Sequence, residues 1–108
     1  MVKLKAWNEY LEYPDAESRC ELYSEKKELI DAKVIGYLVD EFGISHEFVR
    51  WDNEHGQFHK HCLYGKKQRK ELITVPLAKA VAEARDDLKR NWQRYKNEYA
   101  RNHLSESH

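Results

Sequence analysis

The segment from Arg50 to Cys62 contains most of the side chains in this chain that could carry out acid–base chemistry. It reads RWDNEHGQFHKHC and places an arginine, an aspartate and three histidines around one glycine. Imidazole can give and take a proton near neutral pH, and it is also the commonest metal ligand in proteins. We therefore expect a functional site here. Four of the six histidines of the chain fall between positions 46 and 61: His46, His55, His59 and His61.

Strand periodicity predicts how these side chains are arranged. Residues 45–51 and 57–64 resemble two strands of a hairpin, with a turn over residues 53–56. Successive side chains of a strand point to opposite faces, so pairing Arg50 with His59 separates an apolar face from a polar one. The apolar face then contains Val49, Trp51, Phe58, Cys62 and Tyr64. The polar face contains His46, Arg50, His59 and His61.

One interpretation of the polar face is catalysis without a metal or another cofactor. His59 and His61 would act as general acid and base, and Arg50 would stabilise negative charge on a phosphate. Asp52, with Asn53, would shape the turn that presents His55. Cleavage of RNA by its own 2′-hydroxyl needs such a base, acid and cation.

Two other interpretations remain open. The pair His59 and His61, with His55 or Asp52, could bind a divalent metal, because alternate residues of a strand share a face. A structural zinc site is disfavoured, since Cys62 points to the opposite face and there is no C-x-x-C motif. Alternatively, the histidines decorate an exposed sheet face and have no chemical role.

Basic residues near the histidines could contact RNA phosphates. The segment KKQRK supplies a cluster of positive charge after Gly65, although a solvated basic loop would have the same composition. The chain is neutral overall, but residues 1–54 are acidic and residues 55–108 are basic. The predicted RNA-binding residues are Lys60, Lys66, Lys67, Arg69 and Lys70.

The hairpin needs a partner layer, and the C-terminal third predicts a long helix over about 75–101. Apolar side chains recur there at spacings of three and four. Thr74 is the expected N-cap, and Pro76 is expected in the first turn. The helical stripe consists of Leu77, Val81, Ala84, Leu88, Trp92, Tyr95 and Tyr99.

Upstream of the hairpin, residues 30–39 alternate as a strand does, while residues 1–28 fit neither pattern well. A helix over residues 20–42 is the alternative. We predict an α+β fold of one domain, residues 1–108, in which a small mixed or antiparallel β-meander over about 17–74 packs against the long helix. Residues 102–108 would form a short polar tail.

Composition indicates where such a protein works. The chain has 108 residues and two cysteines, with no apolar run long enough to span a membrane and no signal-peptide pattern at its start. We expect a cytoplasmic protein without membrane contact.

The chain resembles the TumE-like toxins of toxin–antitoxin systems at Arg50-Trp51-Asp52-Asn53, His55-Gly56 and His59-Lys60-His61. The resemblance implies a sheet-plus-helix toxin that acts on RNA and is neutralised by a cognate DNA-binding antitoxin. A homodimer is also possible. The rival hypothesis is a non-enzymatic module of phage or mobile-element origin that binds nucleic acid or a protein.

Overall fold

The computed structural model describes residues 1–54 and 56–104. Within these ranges, six strands form one antiparallel sheet in which each strand pairs with the next along the chain, and one α-helix lies across one face. This confirms the predicted α+β meander with a long C-terminal helix. The elements are β1 (Lys3–Glu12), β2 (Ala16–Glu25), β3 (Glu28–Val39), β4 (Ser45–Glu54), β5 (Gln57–Cys62), β6 (Arg69–Ile73) and α1 (Leu77–Tyr99), followed by a π-helical turn (Ala100–Leu104).

The sheet begins earlier than the sequence predicted. The segment that fitted neither pattern forms β1 and β2, and the alternative helix over residues 20–42 is wrong because β2 and β3 pair along their length. Lys26 and Lys27 connect these two strands with positive φ angles of 51° and 66°. Asparagine and glycine usually supply this conformation, so the hairpin had no recognisable turn signal.

The core lies between the sheet and α1. On the sheet side, the predicted apolar face is confirmed, since Val49, Trp51, Phe58, Cys62 and Tyr64 are all buried. On the helix side, four residues of the predicted stripe are buried together with Ala80: Val81, Ala84, Leu88 and Tyr95. The other face of the sheet has no helix over it in the described residues.

The two ends of α1 differ from the sequence prediction. The N-cap is Pro76, without a side-chain hydrogen bond, so the predicted cap by Thr74 is wrong. At the other end, the π-helical turn continues to Leu104, so residues 102–104 are not part of a tail. Asn102 Nδ2 donates to Tyr64 O at 3.0 Å and anchors this end to the loop after β5. Residues 105–108 lie outside the described residues.

A β-bulge in β4 breaks the strict alternation of its side chains. The pairing of β3 with β4 shifts between Gly36 and Tyr37, so Phe48 is the extra residue and is buried together with Val49. Gly36 is required opposite the bulge, because a Cβ there would lie 2.7 Å from both Leu88 Cδ1 and Phe48 Cε1.

The bulge also moves His46 to the helix side of the sheet. His46 pairs with buried Leu38, and its ring lies 6.1 Å from that of Tyr99. The prediction that His46 shares a face with Arg50 is therefore wrong. Its Nε2 instead lies 2.8 Å from Asp40 Oδ2.

Among residues 1–54 and 56–104, no helix has both the length and the apolar character needed to cross a membrane.

Candidate functional site

The β4–β5 hairpin holds the predicted site in a register different from the expected one. Arg50 pairs with His61, and Asp52 pairs with His59, whereas the sequence favoured pairing Arg50 with His59. The shift is two residues, so the division into faces survives. It arises because β4 continues to Glu54 and β5 begins at Gln57, which leaves a shorter turn than predicted.

Two predicted roles change with this register. Asp52 and Asn53 belong to β4, so they do not form the turn. His55, predicted to approach the site from that turn, lies outside the described residues.

Asp52 joins His61 and Arg50 on the open face of the sheet. His61 Nε2 lies 2.7 Å from Asp52 Oδ1, and Arg50 Nε lies 2.9 Å from Asp52 Oδ2. The Arg50 N–H is not aligned for a hydrogen bond, so this second contact is an ion pair. Arg50 Nη1 also donates to Glu47 Oε1 at 3.1 Å. His61 is only 7% exposed. Its contact with the Asp52 carboxylate fixes the orientation of the imidazole ring.

The hydrogen bonds select opposite tautomers for the two histidines of β5. A carboxylate oxygen accepts, so Nε2 of His61 carries its proton and Nδ1 has the lone pair of the neutral ring. His59 Nδ1 lies 2.9 Å from the carbonyl oxygen of Gln57, so Nε2 has the lone pair there. The ring centroids are 6.4 Å apart on the same face. Each neutral ring therefore presents one proton acceptor, and a ring that has taken up a second proton can act as a donor.

Cross-strand pairing extends the site beyond the hairpin. Lys33 of β3 pairs with Asp52 of β4, and Lys70 of β6 pairs with His61 of β5. Neighbouring strands are about 4.8 Å apart, so each lysine occupies the strand position directly across from a member of the His61–Asp52 pair. Lys33 was not recognised from the sequence, although its alternation with buried Ala32 and Val34 indicated an outward position.

An open cleft of about 570 Å³ contains most of these groups. It brings together five of the predicted residues: Arg50, Asp52, His61, Arg69 and Lys70. His59 does not line it. Its lining also includes residues that the sequence did not reveal as functional: Tyr23, Asp31, Lys33 and Gln68. The four cationic side chains outnumber the two aspartates, so the cleft suits an anionic ligand.

The predicted basic contacts separate into two groups. Arg69 and Lys70 line the cleft, and Arg69 also forms an ion pair with Glu71 at 3.0 Å. Lys66 and Lys67 are exposed in the loop after β5 and do not line the cleft.

Lys60 lies on the opposite face, enclosed between β5 and α1, and is 7% exposed. Its Nζ donates to Asp87 Oδ2 at 3.1 Å and to Tyr95 Oη at 2.7 Å. Burial alone would lower the pKa of Lys60, but the contact with Asp87 outweighs burial and raises it. Because its ammonium group is turned toward the helix, the prediction that Lys60 contacts RNA is wrong.

The metal alternative gains no third ligand from the described ranges. Over residues 1–54 and 56–104, no three histidine, cysteine, aspartate or glutamate side chains are grouped so that they could hold a metal ion. Cys62 is buried on the helix side, with its Sγ 3.5 Å from Glu71 Oε2. The proposed ligand set of His55, His59 and His61 includes a residue that the structure does not describe.

Fold and site together define a small α+β protein, in which an antiparallel meander is covered by a helix on one face and carries a polar, cation-lined cleft on the other. Residues 2–105 match the family model described as Domain of unknown function (DUF7718), and the chain belongs to that family. No curated protein and no solved structure matches it.

Proposed function

We propose that the cleft binds the phosphate backbone of RNA and that the chain cleaves it without a metal ion. The observation that supports this most directly is the arrangement of Asp52, which holds both His61 and Arg50 in a cleft with an excess of cations. Positive side chains supply phosphate affinity, and a carboxylate-oriented imidazole supplies proton transfer.

The proposed reaction is transfer of a phosphodiester to the neighbouring 2′-hydroxyl. His61 removes the 2′-hydroxyl proton, and Asp52 stabilises the imidazolium that forms. The 2′-oxygen bonds to phosphorus, and Arg50 stabilises the charge on the phosphate oxygens. His59, which must enter this step as the imidazolium, donates its Nε2 proton to the departing 5′-oxygen as the bond from that oxygen to phosphorus breaks. The products are a 2′,3′-cyclic phosphate and a 5′-hydroxyl.

We further propose that this activity makes the protein a toxin neutralised by a cognate antitoxin in the cytoplasm. The support is the similarity of Arg50–Asn53 and His59–His61 to the TumE-like toxins. Expression of the chain should then stop growth, and co-expression of the protein encoded beside it should restore growth.

A direct test compares two histidine variants of the purified protein on total RNA. Replacing His61 (His61→Asn) should reduce the cleavage rate at least about 100-fold, the lower range for lost general acid–base catalysis. His103→Gln is the matched control, because His103 contacts Gly65 O outside the cleft, and it should retain activity. Equal activity in the two variants would refute the assignment. Loss of wild-type activity in EDTA would refute metal independence.

RNA binding without cleavage is the second candidate function. It is favoured by one observation: His59 lies outside the cleft lining, so the cleft itself holds a single imidazole. In that case Lys33→Ala and Lys70→Ala should weaken RNA binding and reduce the salt dependence of that binding. Neither the wild type nor His61→Asn should cleave the RNA.

A further inference from the structure

In the described residues the sheet ends at β1 and at β6, and the β1 edge is the longer of the two. β1 pairs with β2, and within the part of the chain that the structure describes no strand lies along its other edge. Eight of the ten β1 residues from Lys3 to Glu12 are exposed, and the other two, Trp7 and Leu11, are half-buried. The apolar Leu4 and Tyr10 are 57% and 58% exposed. Unpaired edges of this length present backbone donors and acceptors to another strand.

We propose that β1 pairs antiparallel with β1 of a second copy of this chain, about a two-fold axis that passes midway between the Trp7 residues of the two copies. The two sheets then form one continuous sheet. This interface lies at the sheet edge, away from the His61 cleft, and does not depend on the proposed ribonuclease activity.

The order of charges along β1 selects a second copy in antiparallel orientation. Lys3 and Lys5 lie near its start, and Glu9 and Glu12 lie near its end. An antiparallel copy brings lysines toward glutamates, whereas a parallel copy would place like charges side by side. Edge lysines usually discourage strand pairing, but a self-pairing register can place Lys5 opposite a glutamate.

The register about Trp7 satisfies both faces of β1. It places Lys5 opposite Glu9 of the second copy, twice by symmetry, and Leu4 opposite Tyr10 on the other face. Lys5 and Glu9 already flank the Trp7 ring in one subunit, with Lys5 Nζ 5.6 Å from its centroid and Glu9 Oε1 2.7 Å from its Nε1. Opposite charges and apolar pairs directly across strands both stabilise a sheet.

Neighbouring registers are less favourable. A two-fold axis at Asn8 places Lys5 opposite Leu11 and Leu4 opposite Glu12, so charge faces apolar side chains. An axis at Ala6 places Lys5 opposite Trp7 and leaves Lys3 to face Glu9. The axis at Trp7 is therefore the register that pairs Lys5 with Glu9 and Leu4 with Tyr10, with Ala6 opposite Asn8 between them.

There is room for the second copy, because α1 packs mainly over β3 and β4. Arg85 of α1 approaches β1: its guanidinium lies 5.2 Å from the Trp7 ring centroid, and its Nη2 lies 3.4 Å from Glu9 Oε1. Both contacts use side chains, so the backbone edge of β1 remains open to a second strand.

Charge exchange tests the proposal by analytical ultracentrifugation over a concentration series. The wild type should dimerise reversibly. Lys5→Glu and Glu9→Lys should each weaken dimerisation about tenfold or more, because each places two like-charge pairs across the axis. The double variant should dimerise again, and an equimolar mixture of the two single variants should form a heterodimer.

The matched control is Lys3→Glu, since Lys3 faces apolar Leu11 in this register and should have little effect. Circular dichroism should show that every variant is folded. A monomeric wild type would overturn the proposal. A double variant that dimerises no more strongly than the single variants would also overturn it. Weakening by Lys3→Glu but not by Lys5→Glu would overturn the register about Trp7.

Discussion

Lys60 and His61 are neighbours in β5, yet they serve two different ionic clusters on opposite faces of the sheet. Each cluster is centred on an aspartate. Asp87 lies on the helix-covered face and accepts hydrogen bonds from Lys60 and Tyr95, whereas Asp52 lies on the open face and contacts His61 and Arg50. The two clusters are similarly exposed, at 28% for the Asp87 side chain and 20% for that of Asp52, so they differ in what they adjoin. The comparison teaches that similar groups join the helix to the sheet on one face and line a cleft on the other.

The largest expected effect is on the activity of the open cluster. Asp52→Asn keeps the size of the side chain but removes the charge that orients His61 and stabilises its imidazolium. RNA cleavage should fall about 100-fold or more. Because the asparagine keeps a side-chain oxygen that can accept from His61, the free energy of unfolding should change by only about 1 kcal/mol. Cleavage rates and urea denaturation measure the two effects, and an unchanged rate in a folded variant would contradict the proposed role.

The opposite outcome is expected for the covered cluster. Asp87→Ala leaves the ammonium group of Lys60 and the hydroxyl of Tyr95 without their acceptor between sheet and helix. Breaking such a pair from one side should lower the free energy of unfolding by about 3 kcal/mol. The matched control is Asp86→Ala, which removes an exposed ion pair with Arg90 and should cost less than about 1 kcal/mol. Equal losses in the two variants would show that burial does not distinguish them.

Packing under the covered face gives a somewhat smaller effect. Gly36→Ala introduces a Cβ that collides with Phe48 and Leu88, so it should lower the free energy of unfolding by about 2 kcal/mol. If the collision is the cause, combining it with Phe48→Leu should cost less than the sum of the two single changes. Chemical denaturation of the three variants measures this, and strict additivity would contradict the explanation.

The smallest effect concerns pH. Burial alone would raise the pKa of Asp87, but hydrogen bonds from Tyr95, Asn91 and Lys60 outweigh burial and lower it. A lowered carboxyl pKa stabilises the fold above the ordinary value of 3.8, and this contribution is lost as pH falls through the lowered value. The raised pKa of Lys60 also stabilises the fold at neutral pH. This contribution to stability is lost as pH rises through the raised pKa of Lys60 in the folded protein. Both contributions are present near neutral pH.

Acid titration of stability can therefore isolate the covered cluster. Between about pH 5 and pH 2, the wild type should lose more stability than Asp87→Asn, which has no proton to gain at that position. Denaturation midpoints at each pH give the difference. Parallel curves for the two proteins would show that Asp87 does not contribute.

Much of this arrangement was predictable where it depended on local periodicity. The alternation in β5 separated His59 and His61 from Phe58 and Cys62, and the stripe from Val81 to Tyr95 placed the helix over the apolar side. The same alternation put Lys60 on the apolar side, which should have excluded it as an RNA contact.

The errors came from features that periodicity does not encode. The bulge at Phe48 reversed the face of His46, and the two-lysine turn at Lys26 and Lys27 lacked the usual glycine or asparagine. Lys33 was missed because its strand is separated in sequence from Asp52, which it pairs with across the strands.

The sequence alone determined that Arg50–Cys62 is rich in titratable groups and which side chains of β5 share a face, because strand geometry repeats every two residues. The tertiary structure decided what each group meets. Pairing across β3, β4 and β5 brought Lys33 to Asp52 and Arg50 to His61, and packing of α1 brought Asp87 to Lys60. These contacts join distant parts of the chain, so their energies depend on the complete fold.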